Sequence, residues 1–157
     1  MRRRTALRLA LPVAFPLAVA ACAHPAGPGP GADGMTWILN EADRPALVYG
    51  VPESDHLAVA LECRRGSGQV DILVFGAAER PPRRLALASG PARTDLAVQS
   101  QADELFEQVH QAETPATSDV LRRFRRTGAI AIGLDRPEPF PAAPQRLRAR
   151  FLALCGG

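Results

Sequence analysis

Residues 57–75, LAVALECRRGSGQVDILVF, decide how the rest of the chain is read. Leu57, Val59, Leu61 and Cys63 recur at every second position, as do Val70, Ile72 and Val74, the spacing of two strands that each carry one apolar face. Gly66 and Gly68 lie between them and favour a turn. A two-residue loop at 66–67 and a four-residue loop at 65–68 both set Cys63 opposite Val70, Leu61 opposite Ile72 and Val59 opposite Val74. A three-residue loop would set apolar side chains against polar ones. The favoured register turns Cys63 into the core.

Short alternating runs continue on both sides of this hairpin. Thr36–Asn40 (TWILN) and Ala46–Gly50 (ALVYG) read as strands around a turn, and the only Trp and Tyr of the chain, Trp37 and Tyr49, read as packing residues. After Phe75, residues 76–82 break the pattern. Residues 84–88 alternate again, and 92–100 read as one strand with Leu96 and Val98 on one face. Residues 103–113 fit both periods; their place in a string of hairpin-spaced strands favours a strand. Residues 117–127 (TSDVLRRFRRT) read as a helix capped by Thr117 or Ser118 and stopped by Gly128. Val120, Leu121 and Phe124 point inward, and Arg122, Arg123, Arg125 and Arg126 outward. A strand at 129–134 and a Pro-rich crossing at 136–144 follow. Pro144 then fits the first turn of a last helix whose inward stripe is Leu147, Phe151, Leu154 and Cys155. The fold class expected is α+β: a small β-rich sandwich or rolled antiparallel sheet with two short helices.

The N-terminal residues carry a different signal. MRRRTALRLALPVAFPLAVAAC has a basic start, an apolar run and small residues ending in Cys22, the layout of a secretory signal peptide over 1–21. The run is too short and too charged for a spanning helix, since Arg8 interrupts it. Val19-Ala20-Ala21-Cys22 resembles the lipobox of bacterial lipoproteins, which implies that Cys22 is lipidated and becomes the mature N-terminus. Ala23 in place of Asp implies, by the same resemblance, the outer membrane facing the periplasm. Residues 24–34 (HPAGPGPGADG) lack apolar periodicity and read, with Cys22, as a tether reaching roughly 35 Å at about 3.1 Å per residue. His24 has no second ligand at metal spacing. One domain is expected over 35–157.

Export has a consequence for the thiols. With Cys22 committed to lipid, Cys63 and Cys155 are the two left, both read as inward-facing, so they are expected to form a disulfide that ties the C-terminal helix to the sheet. No metal site is expected, because there is no C-x-x-C and no paired His. No cofactor is implied either.

The formal charge of +3 includes four leader arginines, Arg2, Arg3, Arg4 and Arg8, so the remainder carries −1. That balance and the sparse aromatics argue against nucleic acid as a partner. G-x-S-x-G, P-loop, dinucleotide, H-E-x-x-H and EF-hand motifs are absent. His56, beside Asp55, and His110, between Glu107 and Glu113, are the candidate general bases of a small periplasmic hydrolase. The four arginines of the 117–127 helix are the candidate contact for an anionic lipid surface or an acidic envelope protein. The run from Tyr49 through the Cys63 strand, with LRRFRRTG and FLALCG, is similar to small envelope proteins of Gram-negative bacteria, a resemblance that implies a place and no activity. A non-enzymatic envelope lipoprotein is therefore the first expectation, and the hydrolase the alternative.

Overall fold

The computed structural model describes residues 34–156. The expected signal peptide, lipidated Cys22 and most of the tether lie outside the described residues.

β1 (Thr36–Asn40), β2 (Ala46–Gly50), β3 (Leu57–Glu62) and β4 (Gln69–Phe75) follow one another as antiparallel neighbours. The β3–β4 register is the expected one, with Val59 opposite Val74 and Leu61 opposite Ile72. Alternation puts Val59, Leu61, Val70 and Ile72 on a fully buried face. The chain then leaves this sheet for β5 (Leu85–Ser89) and β6 (Ala92–Leu96) and returns as β7 (Gln99–Asp103) and β8 (Glu107–Pro115), which complete a six-stranded order β1-β2-β3-β4-β8-β7. A helix, α1 (Asp119–Thr127), leads to β9 (Ile130–Leu134) and β10 (Glu138–Phe140), and the second sheet runs β10-β9-β5-β6. α2 (Gln145–Leu154) closes the fold. The described residues form an α+β sandwich of two antiparallel sheets with two helices.

Three local expectations are corrected. Residues 92–100 are two strands in different sheets. The chain crosses between sheets at Ala97 and Val98, and Leu96 and Val98 both pack on the core at that corner. In 103–113 the strand begins only at Glu107; before it, the Asp103 carboxylate accepts the N–H groups of Leu105 (2.9 Å) and Phe106 (3.1 Å) and closes the β7–β8 turn. α1 begins at Asp119 after Ser118, and neither Thr117 nor Ser118 caps it through a side chain: the Ser118 hydroxyl is buried without a partner. Its C-terminus behaves as expected. Gly128, at φ 76°, sends its N–H to the Phe124 carbonyl at 2.8 Å.

Between the sheets, Leu47, Leu61, Ile72, Leu85, Leu87 and Ile132 meet Leu121 and Phe124 of α1 and Phe151 of α2. α1 packs on β5, β6 and α2, and α2 packs on β1 and β2. Phe140 packs edge to face on Trp37 and Tyr49, whose own rings are tilted with centres 5.3 Å apart, and the Trp37 indole N–H donates to the Pro141 carbonyl at 2.7 Å. Both large aromatics are thus packing residues. The inward stripe of α2 is Arg148, Phe151, Leu152 and Cys155; Leu147 and Leu154 are only half-buried. Pro144 stands just before that helix, at the N-cap and not in its first turn. Cys155 is bonded to Cys63, with Cα atoms 5.7 Å apart, so the helix is tied to the end of β3.

On the outer face of the larger sheet, Glu62 and Asp71 stand directly opposite each other, and Arg44 reaches both, at 3.7 and 3.3 Å. Burial raises the pKa of Glu62, Arg44 lowers it by less, and Asp71 adds a still smaller rise. The folded state therefore favours the protonated form. Stability contributed by Glu62 is complete below the ordinary carboxylate value and is lost as pH rises through the raised folded value. Glu62→Gln is expected to flatten this decline in urea unfolding measured across that interval; an unchanged slope would show that Arg44 neutralises Glu62 fully.

Candidate functional site

The turn between β9 and β10 is folded back over the smaller sheet, and Gly133 permits it. A side chain at Gly133 would stand 2.4 Å from the Arg136 carbonyl oxygen, so the backbone of the turn crosses where any other residue would project. Asp135 takes the left-handed conformation, φ 60°, which Asp tolerates better than most residues. Its N–H donates to the Arg84 carbonyl at 3.0 Å, its carboxylate accepts the Arg83 N–H at 3.0 Å, and its carbonyl accepts the Arg84 guanidinium at 3.2 and 3.1 Å. These bonds join the Pro81-Pro82 loop to the turn. The result is a set of adjoining clefts that share Asp135.

The first cleft, of about 450 Å³, is floored by Ala86 and walled by Arg84, Arg93, Asp95 and Arg136. Ala86 lies opposite Asp95 on one side and Gly133 on the other, so small residues leave the room that longer side chains surround. A second cleft of about 690 Å³ adjoins it at Asp135 and Arg84 and is lined also by Arg80, Pro81 and Arg83, and a third of about 550 Å³ is lined by Arg80 and Arg136 together with Glu79, Asp135 and Glu138. Arg84 is committed to Asp95 at 3.2 Å as well as to the turn. No ion pair among the described residues engages Arg80, Arg83, Arg93 or Arg136. Four exposed guanidinium forks around a concave, loop-braced surface can hold anionic oxygens from several directions. No aromatic side chain among the described residues lines these clefts.

The arginines expected on α1 do not form one face. Arg122 is tied back to Asp119 and to the Thr117 carbonyl. Arg123 is half-buried over Gly90 in the β5–β6 turn, with its Nε enclosed and without a hydrogen-bond partner. The helix packs on β5 and β6 along this side, so the position read as outward is a contact. Arg125 and Arg126 remain exposed.

The candidate bases also separate. His56 is exposed in the turn before β3, and its backbone N–H donates to the Ser54 hydroxyl at 3.1 Å. His110 is fully buried, with Nε2 3.1 Å from the Gly76 carbonyl and Nδ1 2.7 Å from the Ser100 hydroxyl. A carbonyl only accepts, so Nε2 carries the hydrogen and Nδ1 accepts from Ser100. A hydroxyl and an imidazole thus meet, without a carboxylate behind the ring. A proton taken from Ser100 would leave a buried imidazolium beside an alkoxide, with no carboxylate to stabilise the ring cation. The pair reads as a satisfied buried histidine. Among the described residues no group of three or more His, Cys, Asp or Glu is placed to hold a metal ion.

Sequence reasoning passed over the cleft because its arginines fall in three separate segments: 80–84 in a loop, Arg93 in a strand and Arg136 in a Pro-rich crossing. Only the pairing of β5 with both β6 and β9 brings them together. The one available signal was the density of Arg and Pro in RPPRR and DRPEP.

The fold and the cleft define a small disulfide-bonded sandwich with an arginine-lined surface. No protein family, curated protein or solved structure matches this chain.

Proposed function

We propose that this protein is a non-enzymatic binding module of the bacterial cell envelope, held by lipid on Cys22 and contacting an anionic envelope component through the clefts around Asp135. The observation that carries this reading is the group of four guanidiniums with no ion pair among the described residues, Arg80, Arg83, Arg93 and Arg136, on a braced concave surface. The leader and tether support the location: a signal-like stretch ends in a lipobox-like cysteine, and a Pro/Gly-rich spacer follows. Placement at the outer membrane, facing the periplasm, belongs to the same proposal.

The anchor is tested by metabolic labelling with a fatty-acid probe. Label is expected on the wild type and not on Cys22→Ser; equal label on both would overturn the anchor. The contact surface is tested on vesicles of phosphatidylglycerol and phosphatidylcholine. Arg93→Glu with Arg136→Glu is expected to weaken retention by tenfold or more, on the order of 1.4 kcal/mol per tenfold. Arg125→Glu with Arg126→Glu should change it little. The reverse pattern would return the contact to α1.

The hydrolase alternative rests on the Ser100–His110 hydrogen bond. An active-site serine probe that labelled the wild type and not Ser100→Ala would favour it over the binding module.

A further inference from the structure

Resting on the reading of the Asp135 clefts as an anion site, we infer that the ligand is a saccharide carrying two phosphate groups. Three features of the clefts select that chemistry. The first is their extent: Arg93 lines one cleft, Arg83 a second, and Arg80 and Arg136 meet in a third, with Asp135 lining all three, so the surface accepts two anionic groups held apart by a spacer. These guanidiniums stem from separate backbone positions and can approach a tetrahedral phosphate from different directions.

The second is the presence of carboxylates among the arginines. Asp95 lines the first cleft, and Asp135 lines all three. Each carboxylate has two oxygens. Asp95 gives Oδ2 to Arg84, and Asp135 gives Oδ1 to the Arg83 N–H, which leaves one oxygen of each for a donor on a ligand. A ligand made only of anionic oxygens would be repelled by both groups. A hydroxyl or amino substituent between the phosphates turns that repulsion into a hydrogen bond.

The third is the floor and rim. Ala86, Pro81 and Pro137 offer small apolar surfaces suited to the C–H faces of a sugar ring, and with no aromatic ring in the lining a nucleobase has nothing to stack on.

The test is binding to the folded, disulfide-bonded protein, measured by calorimetry at one ionic strength. The probes are a bisphosphorylated glucosamine disaccharide, tripolyphosphate and the unphosphorylated disaccharide. The bisphosphorylated disaccharide is expected to bind at least tenfold more tightly than tripolyphosphate, and the unphosphorylated one not measurably. Arg93→Ala should lower affinity for both phosphorylated probes. Asp95→Asn should separate them, lowering disaccharide affinity several-fold while raising that for tripolyphosphate, a split that a loss of structure would not produce. Tripolyphosphate binding as tightly as the disaccharide would overturn the saccharide inference and leave an anion site standing. Failure of both phosphorylated probes to bind would overturn the anion site as well. Equal binding of the unphosphorylated disaccharide would remove the role of the arginines.

Discussion

Replacing Cys63 and Cys155 together by Ala is expected to lower the free energy of unfolding by about 4 to 5 kcal/mol, a large share of what a domain of this size possesses. The bond joins residues 92 apart in sequence, so it removes a long loop's freedom from the unfolded chain. It also lies where the C-terminus docks: the Gly66 N–H donates to the Leu154 carbonyl at 2.9 Å and the Gly68 N–H to the Cys155 carbonyl at 2.8 Å. Both sulfur-bearing residues are buried, so the substitution also opens a small void. Urea unfolding of reduced wild-type protein, which keeps both sulfurs in the core, should show most of the same loss and lie slightly above that of the double variant. A loss below about 1.5 kcal/mol would mean that the helix is held by packing alone and that the unfolded chain is already compact.

Arg148→Met is expected to destabilise by about 3 to 4 kcal/mol despite conserving much of the side-chain volume. Arg148 is 7% exposed, and its guanidinium donates to the carbonyls of Arg125 (2.9 Å), Arg126 (3.2 Å) and Ala143. The first two belong to the last turn of α1, where carbonyls have no partner within the helix and the dipole favours a cation. Burial lowers the Arg148 pKa, yet a guanidinium keeps its proton in proteins. Methionine would leave three carbonyls unpaired. Arg148→Lys should recover little, because one ammonium cannot span acceptors on two elements in a planar fork. Amide exchange in residues 122–128 should quicken more than in β3 or β4. A loss under 1 kcal/mol, or uniform exchange, would show that water replaces the guanidinium.

The disulfide and Arg148 mark the difference between what was legible and what was not. The disulfide could be read because each cysteine sits in a periodic run, Cys63 in the alternation of 57–63 and Cys155 in a helical stripe. Arg148 has the same helical spacing to Phe151, Leu152 and Cys155 as any inward residue, and only its charge kept it off the stripe. Its partners are carbonyls of α1, and a carbonyl leaves no mark in the identity of its residue. The same holds for Asp135, whose four backbone and side-chain bonds to Arg83 and Arg84 build the candidate site. The arginines of α1 erred in the opposite direction. Their clustering is conspicuous in sequence, yet packing on β5 and β6 encloses Arg123, and Asp119 occupies Arg122.

By itself the sequence determined the central hairpin and its register, the apolar face of α1 and its stop at Gly128, and the pairing of the two cysteines. Each of these follows from spacing along a few neighbouring residues, where alternation or a 3.6-residue period decides which side chains share a face. The tertiary structure alone decided that the chain changes sheet at Ala97–Val98, that β5 pairs with both β6 and β9, and that arginines from three segments border one cleft. Those outcomes depend on contacts between residues far apart in the chain, and the free energy that selects them comes from closing the two sheets and both helices over a shared core.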